Sequence, residues 1–147
     1  MAFYFVQHGK SYAFEEDPQQ GLTEAGMLET EKVAQAVQPR IYKLNQIYHS
    51  GKKRTEQTAL IFAKVLGLEE QVAILDGIKP MDDVKSFALV LPEDALIVSH
   101  LPFLEKLTNY LVGGDESLKT NVVNYANSHV VCLEKNMHTG FQLAWII

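Results

Sequence analysis

The stretch FYFVQHGKS, residues 3–11, joins four consecutive apolar side chains to a histidine and a glycine. An unbroken apolar run, without the alternation of a half-exposed strand, is typical of a parallel strand that is buried on both faces. A second stretch of the same kind, ALIVS at residues 95–99, leads directly into His100. The two stretches predict core strands that each carry an imidazole at the carboxyl end.

The rest of the chain alternates apolar runs with helical patterns, as in an α/β sheet with crossover helices. Thr23 is a candidate N-cap for the first helix, and the last two strands form a predicted hairpin. We predict strands over 2–6, 45–50, 72–75, 95–99, 128–134 and 140–147, and helices over 24–37, 55–66, 82–91 and 103–112.

Length and composition limit the class of protein. With 147 residues, 47% of them hydrophobic, the chain is expected to form one domain over residues 1–147. No window approaches the roughly 18 apolar residues of a membrane span, and no signal-peptide pattern is present, so we expect a cytoplasmic protein that binds no membrane. The net charge of −5 argues against a nucleic-acid partner. The single cysteine, Cys132, excludes an internal disulfide.

Several polar residues follow the predicted strands at one edge of the sheet. In open α/β sheets ligands bind outside the carboxyl ends of the strands, where His8 and His100 are expected. The strand that contains QIYHS leads at the same edge into GKKR, residues 51–54. Two imidazoles, several cations and the amides of a helix N-terminus together favour an anion, and phosphate first.

Each of these features alone also has a purely structural interpretation. A histidine at a strand end often only meets solvent, and a basic loop is usually only solvated. A metal site is a second hypothesis, but it needs three or four converging ligands. The remaining candidates show no H-x-H or H-x-x-x-H spacing, so we expect no metal; they are His49, His129, His138, Asp17 and Asp76.

Four motifs occur in a specific order. They are His-Gly at 8–9, D-P-x-x-x-L-T-x-x-G at 17–26, S-x-x-x-R-T-E-Q-T-A at 50–59 and V-S-H-L-P-F at 98–103. In this order the chain resembles the histidine phosphatase superfamily over essentially its whole length, and within it the SixA-type phosphohistidine phosphatases. The resemblance implies the phosphoglycerate-mutase-like fold, a three-layer α/β/α sandwich with a mostly parallel central sheet and helices on both faces.

The resemblance also implies roles for individual residues. His8 matches the family's nucleophile, which becomes a phosphohistidine that water hydrolyses. Arg54 matches an arginine of the phosphate pocket, and His100 matches the histidine that stabilises the transferred phosphoryl group. Gly9 would let the backbone approach the phosphate. The family pattern implies neither a metal nor an organic cofactor.

Gln7 departs from the family pattern, which has Arg-His-Gly where this chain has Gln-His-Gly. A second family arginine falls near Gln19 or Gln20. A charged hydrogen bond is worth about 1.5–3 kcal/mol and a neutral one about 0.5–1.5 kcal/mol, so one exchange costs on the order of tenfold in phosphate binding. The penalty rises to ~100-fold in rate if the charge acts mainly in the transition state.

Other groups could compensate for the missing charge. Gln7 keeps an N–H donor for phosphate, and Lys10, Lys52 or Lys53 could supply positive charge without the bidentate fork of arginine. Without a cation at position 7 we expect a higher pKa for His8, and therefore a pH optimum displaced upward.

The general acid has two candidates, Asp17 and Asp76, and Asp17 is preferred. A leaving imidazole can be protonated beforehand, so a phosphohistidine substrate needs a weaker acid than a sugar ester does. The chain has no insertion long enough to form a lid, which favours a phosphorylated protein as the partner. The sequence thus predicts a phosphohistidine phosphatase; the alternatives are a phosphatase for small phosphate compounds, and a weakened or inactive member that only binds phosphate or phosphoproteins.

Overall fold

The computed structural model describes residues 1–147 and contains the six strands and four helices that the sequence predicts. The strands are β1 (Ala2–Gln7), β2 (Gln46–His49), β3 (Val72–Ile74), β4 (Ala95–Ser99), β5 (Val130–Asn136) and β6 (Gly140–Ile146). The helices are α1 (Glu24–Val37), α2 (Lys53–Leu66), α3 (Val84–Ala88) and α4 (Phe103–Gly113). No helix combines the length and the apolar character needed to cross a membrane.

All six strands form one mixed sheet in the order β3-β2-β4-β1-β5-β6. The first four strands in this order are mutually parallel, whereas β5 pairs antiparallel with both β1 and β6. The predicted hairpin of β5 and β6 is confirmed, and β3 lies at an edge of the sheet. Because β1, β2 and β4 run in parallel, their carboxyl ends meet at the same edge.

Helices cover both faces of the sheet, which confirms the three-layer α/β/α architecture. Alternate residues of β1 point to opposite faces, so Tyr4 and Val6 pack with α1 and α2 on one side. Phe3 and Phe5 pack with α3 and α4 on the other side, where Phe103 is fully buried. The two apolar layers fix the orientation of the strands and hold their carboxyl ends in place.

Helix ends follow local sequence signals. The side chain of Thr23 caps α1 by accepting a hydrogen bond from the backbone N–H of Gly26, as predicted. Gly67 ends α2 in the left-handed conformation, with φ of 70°.

The third helix is shorter than predicted. The sequence favours a helix over 82–91, whereas α3 covers Val84–Ala88 only. Asp83 caps its first turn, and Pro92 disfavours helical geometry in the residue before it. Leu89 and Val90 are exposed rather than packed in the core. Their hydrophobicity extended the predicted pattern, but no neighbouring element covers them.

Candidate active site

Two histidines meet where β1 and β4 end. The N–H of His8 donates to the carbonyl of Ser99 at 3.0 Å, which continues the pairing of the two strands by one residue. The ring centroids of His8 and His100 lie 5.3 Å apart in an edge-to-face arrangement. The sheet therefore brings together the two imidazoles that the sequence predicts at this edge.

The ring of His8 has one engaged and one free nitrogen. Its Nδ1 lies 2.8 Å from the carbonyl oxygen of Gly9. A carbonyl oxygen only accepts hydrogen bonds, so Nδ1 carries the proton and Nε2 keeps its lone pair. Nε2 makes no hydrogen bond to the protein, and it is therefore available as a nucleophile.

His100 is held by a chain of hydroxyl groups that the sequence analysis did not assign. Its Nε2 lies 2.7 Å from Oγ of Ser50, and Ser50 Oγ lies 2.9 Å from Oγ1 of Thr55. Only 1% of His100 is exposed, and its Nδ1 is buried without any hydrogen-bond partner. Ser50 and Thr55 both belong to the 50–59 motif, but their contact with His100 depends on β2 lying beside β4.

Arg54 supplies positive charge to the site from the first turn of α2. Its half-buried guanidinium forms no ion pair, and burial lowers its pKa. The charge of Arg54 acts on both imidazoles, and that of Lys52 acts on His100 as well. Since no side chain caps the N-terminus of α2, its backbone amides add to a site that favours an anion.

Both imidazoles are neutral at neutral pH. Burial, with a smaller contribution from Arg54, lowers the pKa of His8 below its ordinary value of 6.5, although the bond to Gly9 opposes this shift. Burial, then Arg54, His8 and Lys52, lowers the pKa of His100 to about 3. Burial and Arg54 thus keep the pKa of His8 below 6.5 even without a cation at position 7. The expected rise of this pKa relative to a site with arginine at position 7 stays a prediction.

Gln7 ends β1 beside Ser99 of β4. Its side-chain oxygen, Oε1, is buried and has no hydrogen-bond partner. Gln19 and Gln20 belong to the loop after β1, where Gln20 has φ of 49°. Of the three glutamines, Gln7 is the one that adjoins His8.

Gly9 lies in a closely packed site, and its predicted contact with phosphate stays a prediction. Its N–H donates to Oγ1 of Thr58 at 2.9 Å and is already used. A Cβ at this position would lie 2.7 Å from Oγ1 of Thr30 and 3.1 Å from Oγ of Ser128. Glycine is needed here because α1 and the segment before β5 approach closely.

The side chain of Lys10 makes no contact with His8 or His100. Its side chain is exposed and borders a surface cleft with Glu29 and Asn127. Its carbonyl accepts the N–H of Thr23 and so holds the start of α1. Lys52, rather than Lys10, is the lysine whose charge reaches His100.

Asp17 is bound in a turn. Its carboxylate accepts the N–H groups of Gly21 at 2.9 Å and Gln19 at 3.0 Å, and these bonds lower its pKa. A general acid must carry a proton before it can give one, so this environment is unsuited to the predicted role. Asp76, the other candidate, is exposed in the loop after β3 and borders a cleft with Lys79 and Asp82.

The remaining histidines do not converge. His49 is buried at the end of β2, where its Nδ1 accepts the N–H of Gly51 at 3.1 Å. His129 lies 4.0 Å from Glu29, and His138 is exposed in the turn between β5 and β6. No group of three or more potential metal ligands comes together.

Comparisons with known proteins identify the family and the fold of this chain. The family model described as histidine phosphatase superfamily (branch 1) matches residues 3–82, which include Gln7, His8 and Arg54. No curated protein sequence matches the chain.

Solved structures match over nearly the whole chain. The protein histidine phosphatase SixA complexed with tungstate has a TM-score of 0.85 and 20% identity, covering 100% of this chain and 96% of that one. SixA from Agrobacterium tumefaciens has a TM-score of 0.77 and 20% identity, covering 99% and 96%. Phosphoserine phosphatase from Entamoeba histolytica, in complex with 3-phosphoglyceric acid, has a TM-score of 0.73 and 16% identity, covering 99% and 95%. At these identities the matches establish the phosphoglycerate-mutase-like fold.

Proposed function

Because this chain belongs to the histidine phosphatase superfamily, we propose that it is a phosphatase that forms a phosphohistidine on His8. The free Nε2 of His8, opposite His100 and near the unpaired Arg54, is the observation that carries the proposal. We treat residues 1–147 as one catalytic domain, since both helix layers pack on the same sheet.

The proposed reaction has two steps. The lone pair of His8 Nε2 attacks phosphorus, the bond from phosphorus to the leaving group breaks, and the leaving group departs with that electron pair. Water then attacks the phosphorus, the bond from phosphorus to Nε2 breaks, and His8 recovers its lone pair. Nδ1 keeps its proton on the Gly9 carbonyl throughout, and Arg54 offsets the charge of the phosphoryl oxygens.

Phosphohistidine on a protein partner is the substrate that we propose. An imidazole that is protonated before it leaves needs no strong acid from the enzyme, and Asp17 is held as a carboxylate by Gly21 and Gln19. An alcohol leaving from a small phosphate ester lacks this advantage. The names of the SixA structures, which describe protein histidine or phosphohistidine phosphatases, point to the same substrate class.

Gln7 supports a second candidate function, in which the protein binds phosphate or phosphoproteins with little turnover. Its carboxamide can offer phosphate an N–H donor but no positive charge, where the resembled pattern has a guanidinium. The two candidates differ in whether His8 becomes phosphorylated and whether the phosphate is then released from it.

Phosphate release from a phosphohistidine-bearing protein tests the proposal. We expect turnover by the native chain and a loss of at least 100-fold in His8→Ala, because the nucleophile is removed. His138→Ala is the matched control, since it removes an exposed imidazole far from His8 in the chain. Equal turnover by native protein and His8→Ala, or no turnover by the native protein, would exclude the phosphatase.

A further inference from the structure

We propose that Ser50, supported by Thr55, is a positioning residue that fixes the tautomer of His100, so that its free Nδ1 takes up a proton when a phosphoryl group occupies the site. This inference rests on the proposed function for the identity of the ligand. The tautomer itself rests on hydrogen-bond geometry alone.

The direction of each hydrogen bond follows from counting protons. A hydroxyl group has one proton to donate. Thr55 donates its proton to the carbonyl of Lys52 at 2.8 Å, because a carbonyl only accepts. Ser50 must therefore donate its own proton to Thr55 across 2.9 Å. Having no proton left, Ser50 accepts from Nε2 of His100 across 2.7 Å. Nε2 consequently carries the proton of the neutral imidazole.

The other nitrogen of His100 is left without a proton or a partner. Nδ1 is buried, and no donor or acceptor of the protein reaches it. The charged and titratable groups that act on the ring are Arg54 and Lys52 from the start of α2 and His8 from the end of β1, with no carboxylate among them. Burial, together with these groups, disfavours a proton on Nδ1 and lowers the pKa of His100 to about 3. A buried, unpartnered nitrogen of this kind is unusual in a folded protein and calls for an explanation.

A phosphoryl group supplies that explanation. Its negative charge favours the protonated imidazole, so Nδ1 can take one proton from solvent and donate it in a hydrogen bond to a phosphoryl oxygen. Nε2 keeps its bond to Ser50 in both states. His100 thus changes from a neutral to a cationic partner when the ligand arrives. Phosphate binding is accordingly coupled to the uptake of one proton.

Long-range proton–nitrogen NMR spectra of the imidazoles test the tautomer without any activity assay. In the free native protein at pH 7 we expect His100 to show the neutral form with the proton on Nε2, and His8 the form with the proton on Nδ1. Saturating inorganic phosphate should convert His100 to the imidazolium. A free protein whose His100 carries its proton on Nδ1, or a His100 that stays neutral with phosphate present, would overturn the proposal.

Variants test whether Ser50 causes the preference. Ser50→Ala should yield a mixture of His100 tautomers and lower phosphate release by about tenfold, the effect of one neutral hydrogen bond. Thr55→Val should shift the tautomers in the same direction, and Thr55→Ser, which keeps the hydroxyl, should restore the native spectrum. If both Ser50→Ala and Thr55→Val retained the native tautomer, Ser50 would have no positioning role.

Thr108→Val is the matched control for the loss of a buried hydroxyl. Thr108 is also fully buried, donates to a backbone carbonyl at 2.9 Å and contacts a second hydroxyl, that of Tyr125, at 2.7 Å. Thr108→Val should lose as much stability as Ser50→Ala but leave the NMR spectrum of His100 unchanged. If Thr108→Val changed that spectrum as much as Ser50→Ala does, the change would reflect a general loss of packing, and the proposal would be refuted. Native tautomers without any phosphatase turnover would refute the proposed function and leave the tautomer assignment standing.

Discussion

Gln7 stands where the resembled Arg-His-Gly pattern has arginine, and this difference changes the charge of the site. A carboxamide offers one neutral donor group, whereas a guanidinium offers a charged fork. The pKa of His8 is nevertheless low, because burial and Arg54 both act on it. The imidazole of His8 is therefore kept neutral. In the proposed reaction, the charge missing at Gln7 weakens phosphate binding and the stabilisation of the phosphoryl group.

Gln7→Arg should raise phosphate release by roughly 10- to 100-fold, since a charged hydrogen bond replaces a neutral one next to the nucleophile. Steady-state kinetics with a phosphohistidine-bearing protein measure the change. Gln142→Arg adds the same charge on exposed β6 and serves as the control. An unchanged or lower rate in Gln7→Arg would mean that the missing charge does not limit the reaction.

The pH dependence follows from the lowered pKa of His8. Protonation removes the attacking lone pair, so activity should be present at neutral pH and be lost as the pH falls through a midpoint below 6.5, the ordinary value for histidine. The acid limb of kcat/KM reports this midpoint for the free enzyme. A midpoint above 6.5 would show that the site favours the imidazolium form of His8.

At the scale of elements, the end of β1 is locked between α1, α2 and the segment before β5. Gly9 donates to Thr58 of α2, while Thr30 of α1 and Ser128 bond to each other at 2.7 Å directly beside it. The carbonyl of His8 accepts the side-chain amide of Asn127 at 2.9 Å. These contacts hold His8 on a rigid support, as its proposed role as nucleophile requires.

Gly9→Ala should lower the free energy of unfolding by about 1–3 kcal/mol, because the added methyl group overpacks a closed site. Its Cβ would lie 2.7 Å from Oγ1 of Thr30. Denaturant unfolding measures the loss, and Thr30→Ala in the same chain should recover part of it by making room. Strictly additive effects of the two substitutions would contradict the proposed clash.

At the scale of the whole molecule, the sequence predicts the sheet because β1 and β4 are unbroken apolar runs. It also predicts that His8, His100 and Arg54 share an edge, since carboxyl ends of parallel strands meet there. The hydroxyl chain through Ser50 could not be predicted, because it requires the strand order that puts β2 beside β4. The role of Gly9 likewise depends on how α1 approaches β1, which no local pattern specifies.

The fold as a whole places the neutral imidazole of His8, a second imidazole and an unpaired arginine at one sheet edge. The central claim is that His8 becomes phosphorylated during the reaction. The most direct test is to mix the native protein with a phosphohistidine-bearing protein and to quench the mixture rapidly at alkaline pH. Mass spectrometry then shows whether the peptide that contains His8 carries phosphate. We predict a phosphopeptide whose modification maps to His8, is lost on acid treatment and is absent in His8→Ala. Phosphate release without any modification of His8 in the quenched samples would contradict the central claim.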